Sequence, residues 1–429
     1  MRLLAAASVV ALLAAACGDD DDTSTPSDEP TTTTPDGTTT TAGEAPTGDG
    51  TLKIGYLLPK TGSLSFLGDP MIKAVEMAVE EINTAGGVGG ADVELIGEDD
   101  GTDPDIAGPA TDKLINAGVD LIVGAAASGV TLSVIDKITG TPIVECSPSN
   151  TGLQFTTYED SGFYFRTAPP DNLQAQVLAD LITEDGGETV AIVARSDEYG
   201  EGFANALQEE LTAAGLTAGD PILYDFEAGN YDAEAQQIAD SGADSVALIA
   251  FDEGATVIQA AIAASVGPDT LQWYGTDGIQ SSTFWEKVDP DDPTVVEGLR
   301  GTAPSAAPAD GEATFRDRFA EFAPGVDTIF SGHAFDCVVV AALAAAEAGS
   351  DASVAIQEHM ISVTKDGEKC TLFADCIALI EAGTDIDYDG AAGPLDFVDA
   401  GEPGAGAYDT WEFDAEGAVQ VIESSIPVG

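Results

Sequence analysis

From residue 51 onward the chain alternates short apolar runs with longer amphipathic segments, and glycine closes most of the latter. Leu52–Leu58 reads as a buried strand, Asp69–Ala85 as a helix ended by Gly86-Gly87, and Val93–Ile96 as a strand. Pro104–Ala117 is a helix ended by Gly118, Leu121–Val123 a strand, Ser128–Ile138 a helix and Pro142–Val144 a strand. The pattern then restarts. Val190–Val193, Pro221–Phe226, Val246–Ala250 and Gln272–Tyr274 read as strands. Gly202–Ala214, Asp232–Ser241 and Glu253–Ser265 read as helices between them. Phe335–Ala348 is a further Ala/Val-rich helix, and Tyr408–Phe413 a late strand. Strand–helix repetition with short connections predicts parallel sheets covered by helices. About 380 residues exceed one ordinary core, so two α/β lobes are expected. Ligands of such sheets bind beyond the carboxyl ends of the strands, which directs attention to the segment after each strand.

The first fifty residues do not follow this pattern. Met1-Arg2 precedes an apolar run, Leu3–Ala16, that ends in Leu13-Ala14-Ala15-Ala16-Cys17-Gly18. The run is short for a bilayer span and has the small residues of a signal-peptide processing site. Leu-Ala-Ala-Ala-Cys resembles the bacterial lipobox, which implies cleavage before Cys17 and its diacylation; the plainer alternative is a secretory signal with an incidental cysteine. Two acyl chains anchor a protein stably. No later stretch is expected to span a membrane. Residues 18–50 hold four consecutive aspartates and then Thr, Pro, Ser and Gly, a composition that buries too little surface to fold. As a coil this tether reaches roughly 30 Å.

Against 76 acidic residues the chain sets 14 Lys and Arg, a net charge of −62. That excludes nucleic acid as a partner, repels anionic ligands and suits salty or acidic surroundings. In an exported chain the four remaining cysteines are available for disulfides. Cys370 and Cys376 are six apart and fit a local bridge. Cys146 and Cys337 form a second bridge or stay as two buried thiols. Asp385, Asp387 and Asp389 spell the start of a calcium loop, but Asp396 replaces the usual terminal glutamate, so a hydrated acidic loop is the preferred reading and no metal is assigned. The two histidines, His333 and His359, have no nucleophile at useful spacing, and no Gly-x-Ser-x-Gly elbow or phosphate loop follows a strand. No enzyme activity and no cofactor are expected.

Several strand-end segments resemble the leucine/isoleucine/valine-binding proteins, the type I substrate-binding proteins of ABC importers. Leu57–Ser63, Gly68 and Ala78–Gly90 resemble the opening signature of that family. Val123-Gly124 with Ser128-Gly129, and Ser147–Thr151, resemble its two first-lobe ligand loops. Asp197–Gly202, Gly275–Gly278 and, loosely, Ala334–Asp336 resemble segments further along. The similarity extends over nearly all of residues 51–429. It implies two Rossmann-like lobes with a cleft between them, lobe one over 51–168 and 302–407, lobe two over 169–301 and 408–429. It implies a monomer tethered on the outer face of the cytoplasmic membrane, with a small amino-acid-like ligand and an ABC permease as partners. Thr102 and Ala127 stand where close members carry a disulfide, so that bridge is missing. A sensor docked to a membrane receptor is the rival reading.

An α-amino acid needs donors for its carboxylate and an acid for its ammonium. Ser128 opens a helix after a strand, in an N-cap position where the helix dipole favours an anion. By resemblance, Ser128 and Thr151 contact the ligand together with the backbone of Ser149 and Asn150. Asp277 follows a lobe-two strand and meets the ammonium; Tyr199 and Phe251 lie against the ligand; Phe66 and Leu67, in the first loop, line the side-chain pocket. The plainer readings are a helix cap for Ser128, a turn aspartate for Asp277, and core packing for Phe251, Phe66 and Leu67.

Overall fold

The computed structural model describes residues 48–305 and 315–429. The expected processing site at Cys17 and the tether before residue 48 lie outside them. In lobe one, strands β1 (Lys53–Leu58), β2 (Glu94–Asp99), β3 (Leu121–Gly124), β4 (Val144–Ser147) and β5 (Tyr164–Arg166) form one parallel sheet in the order β2-β1-β3-β4-β5. Every residue of β3 and β4 is buried, because helices cover both faces. That double cover is why these strands read as continuous apolar runs. Helices α1 (Ser65–Thr84), α2 (Pro104–Ala117) and α3 (Ser128–Gly140) connect the first four strands.

Lobe two repeats the plan. Strands β6 (Thr189–Arg195), β7 (Thr217–Ala218), β8 (Ile222–Tyr224), β9 (Ser245–Ile249), β10 (Gln272–Gly275) and β11 (Arg300–Pro304) pair in parallel. The late strand Gly406–Phe413 extends this sheet antiparallel to β11, and Val419–Val428 pairs antiparallel to it in turn at the edge. Helices α4 (Asp171–Glu184), α5 (Glu198–Ala213), α6 (Asp232–Ser241) and α7 (Gly254–Ala263) cover it. Thr302–Pro304 and Gly406-Ala407, which the sequence assigns to lobe one, therefore pair within the second sheet.

Three other expectations shift. Helix α1 starts at Ser65, four residues before the Asp69-Pro70 pair that mimics a helix start, and Pro70 is carried inside its first turns. The strand expected at Pro142–Val144 runs from Val144 to Ser147. The helix Ser331–Ala348 is long and apolar enough to cross a membrane, contrary to the expectation from sequence, but 83% of it is buried inside the protein as a core helix. It is bonded to β4 through the disulfide Cys146–Cys337, and Cys370–Cys376 forms a second.

The run Asp385–Asp389, expected as a hydrated acidic loop, is mostly a strand. Ile386–Gly390 is a strand of a small three-stranded sheet. Lys369 Nζ lies 3.0 Å from Asp387 and 2.8 Å from Asp389, so one ammonium bridges the two carboxylates. Among the described residues no group of three or more His, Cys, Asp or Glu is arranged to hold a metal ion.

Candidate functional site

Two loops at the carboxyl ends of β3 and β4 build the first wall. The first turns at Gly124, whose φ of 124° and whose contact with the Leu57 carbonyl (2.0 Å from where a Cβ would stand) leave room only for glycine. Its carbonyls then serve as anchors. Ser147 Oγ donates to Ala125 O at 2.7 Å, Ser149 Oγ to Ala126 O at 3.1 Å, and Asn150 Nδ2 to Ala126 O at 2.7 Å. Asp100 accepts from Ala126 N–H at 3.3 Å and Thr102 N–H at 2.7 Å; burial pushes this carboxyl up to about 7.

Sequence reasoning places Asn150 against a ligand, and the structure gives it a different role. Its N–H bonds Ser147 Oγ, its carbonyl accepts from Arg166, and its side-chain oxygen accepts from Tyr164 at 2.9 Å. Every polar group of Asn150 is engaged within the protein, and the residue stitches the two loops together. Ser149 N–H is likewise within reach of Ser147 Oγ, at 3.4 Å. Ser128 is the first residue of α3 rather than its cap, which is Ala127, and no side chain caps that helix. The Ser128 hydroxyl instead accepts from Gly152 N–H at 3.3 Å, one residue beyond Thr151.

The second wall comes from lobe two. Asp277 opens a short turn after β10. The Tyr199 hydroxyl shares a 2.7 Å hydrogen bond with Thr276, and the Tyr199 ring stacks on Phe251 at 5.4 Å. Arg195 lies 3.7 Å from the far side of the Phe251 ring and binds Asp197 and Glu253 at 2.7 and 2.9 Å. Tyr224 also donates to Glu253, and Lys287 pairs with Asp252. These two acids are thus neutralised in place, and Phe251 is a ring held flat from both sides. Phe66 and Leu67 belong to α1 rather than to a loop; Leu67 is buried in the core and Phe66 is half-buried against it.

What joins the walls is a pair of residues that sequence reasoning missed. Asp171, the first residue of α4, is completely buried and donates its N–H to Thr151 O at 2.8 Å. Its carboxylate lies against the Thr151 side chain, which steadies the charge without meeting full hydrogen-bond geometry, and neither oxygen has a partner. Gln174, one turn on, donates through Nε2 to Asp277 at 2.9 Å and to Thr302 O at 3.0 Å, and its own carbonyl oxygen is buried without a donor. Burial pushes Asp171 up to about 8, with the nearby Asp277 charge raising it further against the pull of Thr151. Burial raises Asp277 to about 6, offset by the Gln174 amide. The first turn of α4 thus carries two polar contacts, Asp171 N–H to Thr151 of lobe one and Gln174 to Asp277 of lobe two. On its flank the two helix N-termini approach: a Cβ at Gly129 would stand 3.4 Å from Glu198 Oε2 of α5. The available sequence signal for Asp171 was the pair Pro169-Pro170, which marks a crossing followed by a helix start.

This turn has a surplus of buried acceptors. Among the described residues all Lys and Arg except Lys60 and Lys365 have a carboxylate within ion-pair distance. The arrangement suits a ligand that brings its own hydrogen-bond donors and positive charge.

Comparison with known proteins agrees with this architecture. Residues 51–410 match the family described as periplasmic binding protein. A Leu/Ile/Val-binding protein homolog from Brucella melitensis is 32% identical over 39% of this chain and 45% of its own length, so the chain spans less than half of that relative. A chemotactic signal transduction substrate-binding protein, BasB, from Halobacterium salinarum is 28% identical over 82% of this chain and 85% of its own. The crystal structure of a leucine-binding protein, LivK, from Thermotoga maritima superposes with a TM-score of 0.72 at 18% identity, covering 88% of this chain and 99% of that one. The two-lobed α/β fold is that of the type I binding proteins, a family of solute binders and not of enzymes. On the match over 51–410 and the fold together, this chain belongs to the periplasmic binding protein family.

Proposed function

We propose that the chain captures a small α-amino acid between its lobes and delivers it to the permease of an ABC importer. The observation that carries this reading is the set of buried, donorless acceptors at the junction of the walls, Asp171 Oδ1 and Oδ2 and Gln174 Oε1. An ammonium group supplies three donors and a charge, and so satisfies all of them at once. Asp277 joins it from lobe two, while the hydroxyls of Ser128 and Thr151 and the N-terminus of α3 face the ligand carboxylate. The Tyr199 ring, backed by Phe251, offers an apolar surface to the rest of the ligand. Acids on one wall and hydroxyls on the other make the grip complete only when the lobes close, which couples closure to occupancy. The names of the Brucella protein, a Leu/Ile/Val-binding protein homolog, and of the Thermotoga protein, a leucine-binding protein, fit this assignment.

Thermal-shift and calorimetric titration with L-leucine, L-isoleucine and L-valine, each beside its deaminated acid, tests the reading. A ligand at a hundred times its dissociation constant should stabilise the protein by about 2.7 kcal/mol. The deaminated acids should give no shift, and neither should any of the amino acids with D171N or D277N. Equal binding of 4-methylpentanoate and leucine removes the ammonium from the argument.

The BasB relative supports a second reading, in which closure is reported to a membrane receptor rather than to a permease. Pull-down of the liganded chain from its own membranes separates the two by the partner recovered. In either case we propose a monomer held to the outer face of the cytoplasmic membrane through Cys17. Labelling with a radioactive fatty acid should mark the wild type and not C17S.

A further inference from the structure

The loop Ser147–Gly152 brings Thr151 to the cleft, and one side chain fixes its path from behind. Arg166, at the end of β5, is fully buried. Its Nη1 donates to the carbonyls of Asn150 at 3.2 Å and Gly152 at 2.8 Å, the two neighbours of Thr151. Its Nε donates to Glu402 Oε2 at 2.8 Å, and Nη2 completes the ion pair with the same carboxylate while donating to Thr156 Oγ1 at 3.1 Å. The Thr156 hydroxyl in turn donates to Glu402 Oε1 at 2.9 Å. The backbones meet as well, since Arg166 N–H donates to Gly401 O at 3.0 Å. Glu402 stands in the last crossing between lobes, just before the strand Gly406–Phe413 of the second sheet.

We infer that Arg166 and Glu402 form a relay between this crossing and the ligand loop, with Arg166 the positioning residue for Thr151. The carbonyl of Asn150 belongs to the peptide plane entering Thr151, and Arg166 holds it. The carbonyl of Thr151 belongs to the plane leaving it, and Asp171 N–H of lobe two holds that one. The orientation of Thr151 is therefore set by two contacts, one tied to the crossing and one to the opposite lobe. A buried guanidinium satisfied by a single carboxylate follows that carboxylate when it moves, because separating the two leaves an unpaired buried charge. Rotation of the lobes displaces Glu402, Arg166 transmits the displacement, and the loop is competent to bind only over part of the hinge's travel. The relay rests on the proposed role of Thr151 but not on which solute binds.

Hydrogen exchange of the intact chain without ligand tests it, with E402Q and R166K as variants. Glutamine keeps the shape of Glu402 and one acceptor; lysine keeps the charge of Arg166 and loses the fork. E402Q should raise exchange in the segment 150–156 about tenfold or more, although Glu402 lies some 250 residues away in the chain. R166K should raise exchange at 398–402. Protection of the lobe-two strand Ser245–Ile249 should stay at the wild-type level in both, which shows that the fold survives. Titrated with L-leucine as probe, E402Q should bind about tenfold more weakly than wild type. Should wild type fail to bind leucine, the exchange data still decide the relay and only the amino-acid reading falls. Wild-type exchange at 150–156 in E402Q, or loss of protection spread evenly over lobe one, overturns it. If R166K does not fold, E402Q alone decides by the same criterion.

Discussion

At the residue scale, Asp171 makes the unliganded protein sensitive to pH in a stated direction. Its carboxyl is raised from an ordinary 3.8 to about 8 by burial. Between those values the unfolded chain ionises while the folded one holds its proton. The stability contribution of the neutral form is therefore full below about pH 4 and lost as pH rises towards 8. D171N removes the titrating group. Its unfolding free energy, read by denaturant titration, should match wild type near pH 4 and exceed it near pH 8 by on the order of a few kcal/mol. An ammonium ligand reverses the preference, because it favours the ionised acid. Binding near pH 7 should then release protons, and the calorimetric enthalpy should depend on the ionisation heat of the buffer. Identical enthalpies in phosphate and Tris would mean that Asp171 does not meet the charge. The sequence marks this residue only as a helix start after Pro169-Pro170. Asp277 and Thr151 are legible because each follows a strand of its own lobe, whereas Asp171 opens a helix after a crossing, and what makes it matter is a neighbour on the other wall.

At the element scale, β1, β3, β6, β9 and β10 were legible because burial makes them continuous apolar runs, whereas β5, β7 and β11, too short or too polar to mark such a run, were not. Helix α4 was not, since its polar first turn follows two prolines and its apolar face points to both lobe and hinge. The strand Val419–Val428 was missed for a different reason: it is an exposed edge, and Ile422 is 54% accessible, so no alternation marks a buried side. Turns were read correctly where glycine was required. At Gly278 a Cβ would stand 2.3 Å from Ala250 O and 2.8 Å from the Phe251 ring. G278A should therefore cost about 1–3 kcal/mol and weaken ligand binding by displacing Phe251 and Asp277 together. G219A, which meets nothing within 4 Å, should change stability by less than about 0.5 kcal/mol in the same denaturant titration. The two disulfides also separate by the length of chain they close. Cys146–Cys337 spans 191 residues and Cys370–Cys376 spans six. Loop-closure entropy gives about 5 kcal/mol for the first and about 2 kcal/mol for the second. The C146A/C337A pair should lower the melting temperature clearly more than C370A/C376A, and the reverse order would show that native contacts rather than chain entropy dominate.

At the scale of the whole molecule, charge is the property that sequence declares and packing cannot hide. Most of the chain's net charge of −62 lies on two lobes that must approach each other to enclose a ligand. Most described bases are already paired, so they relieve the repulsion locally without cancelling it. Most of the remaining acids face solvent, where salt screens them: the screening length falls from about 10 Å at 0.1 M to about 3 Å at 1 M. Raising sodium chloride over that range should move the melting temperature upward by several degrees. It should also leave or improve the affinity for a zwitterion, because the buried contacts of Asp171 and Asp277 are screened far less than the lobe surfaces that repel. A cationic ligand drawn in by the surface field would behave oppositely and bind more weakly as salt rises. Parallel titrations of leucine and lysine at both salt concentrations therefore test the charge argument and the ligand class together. Leucine affinity that falls steeply with salt would place the recognition on the exposed surface rather than in the cleft.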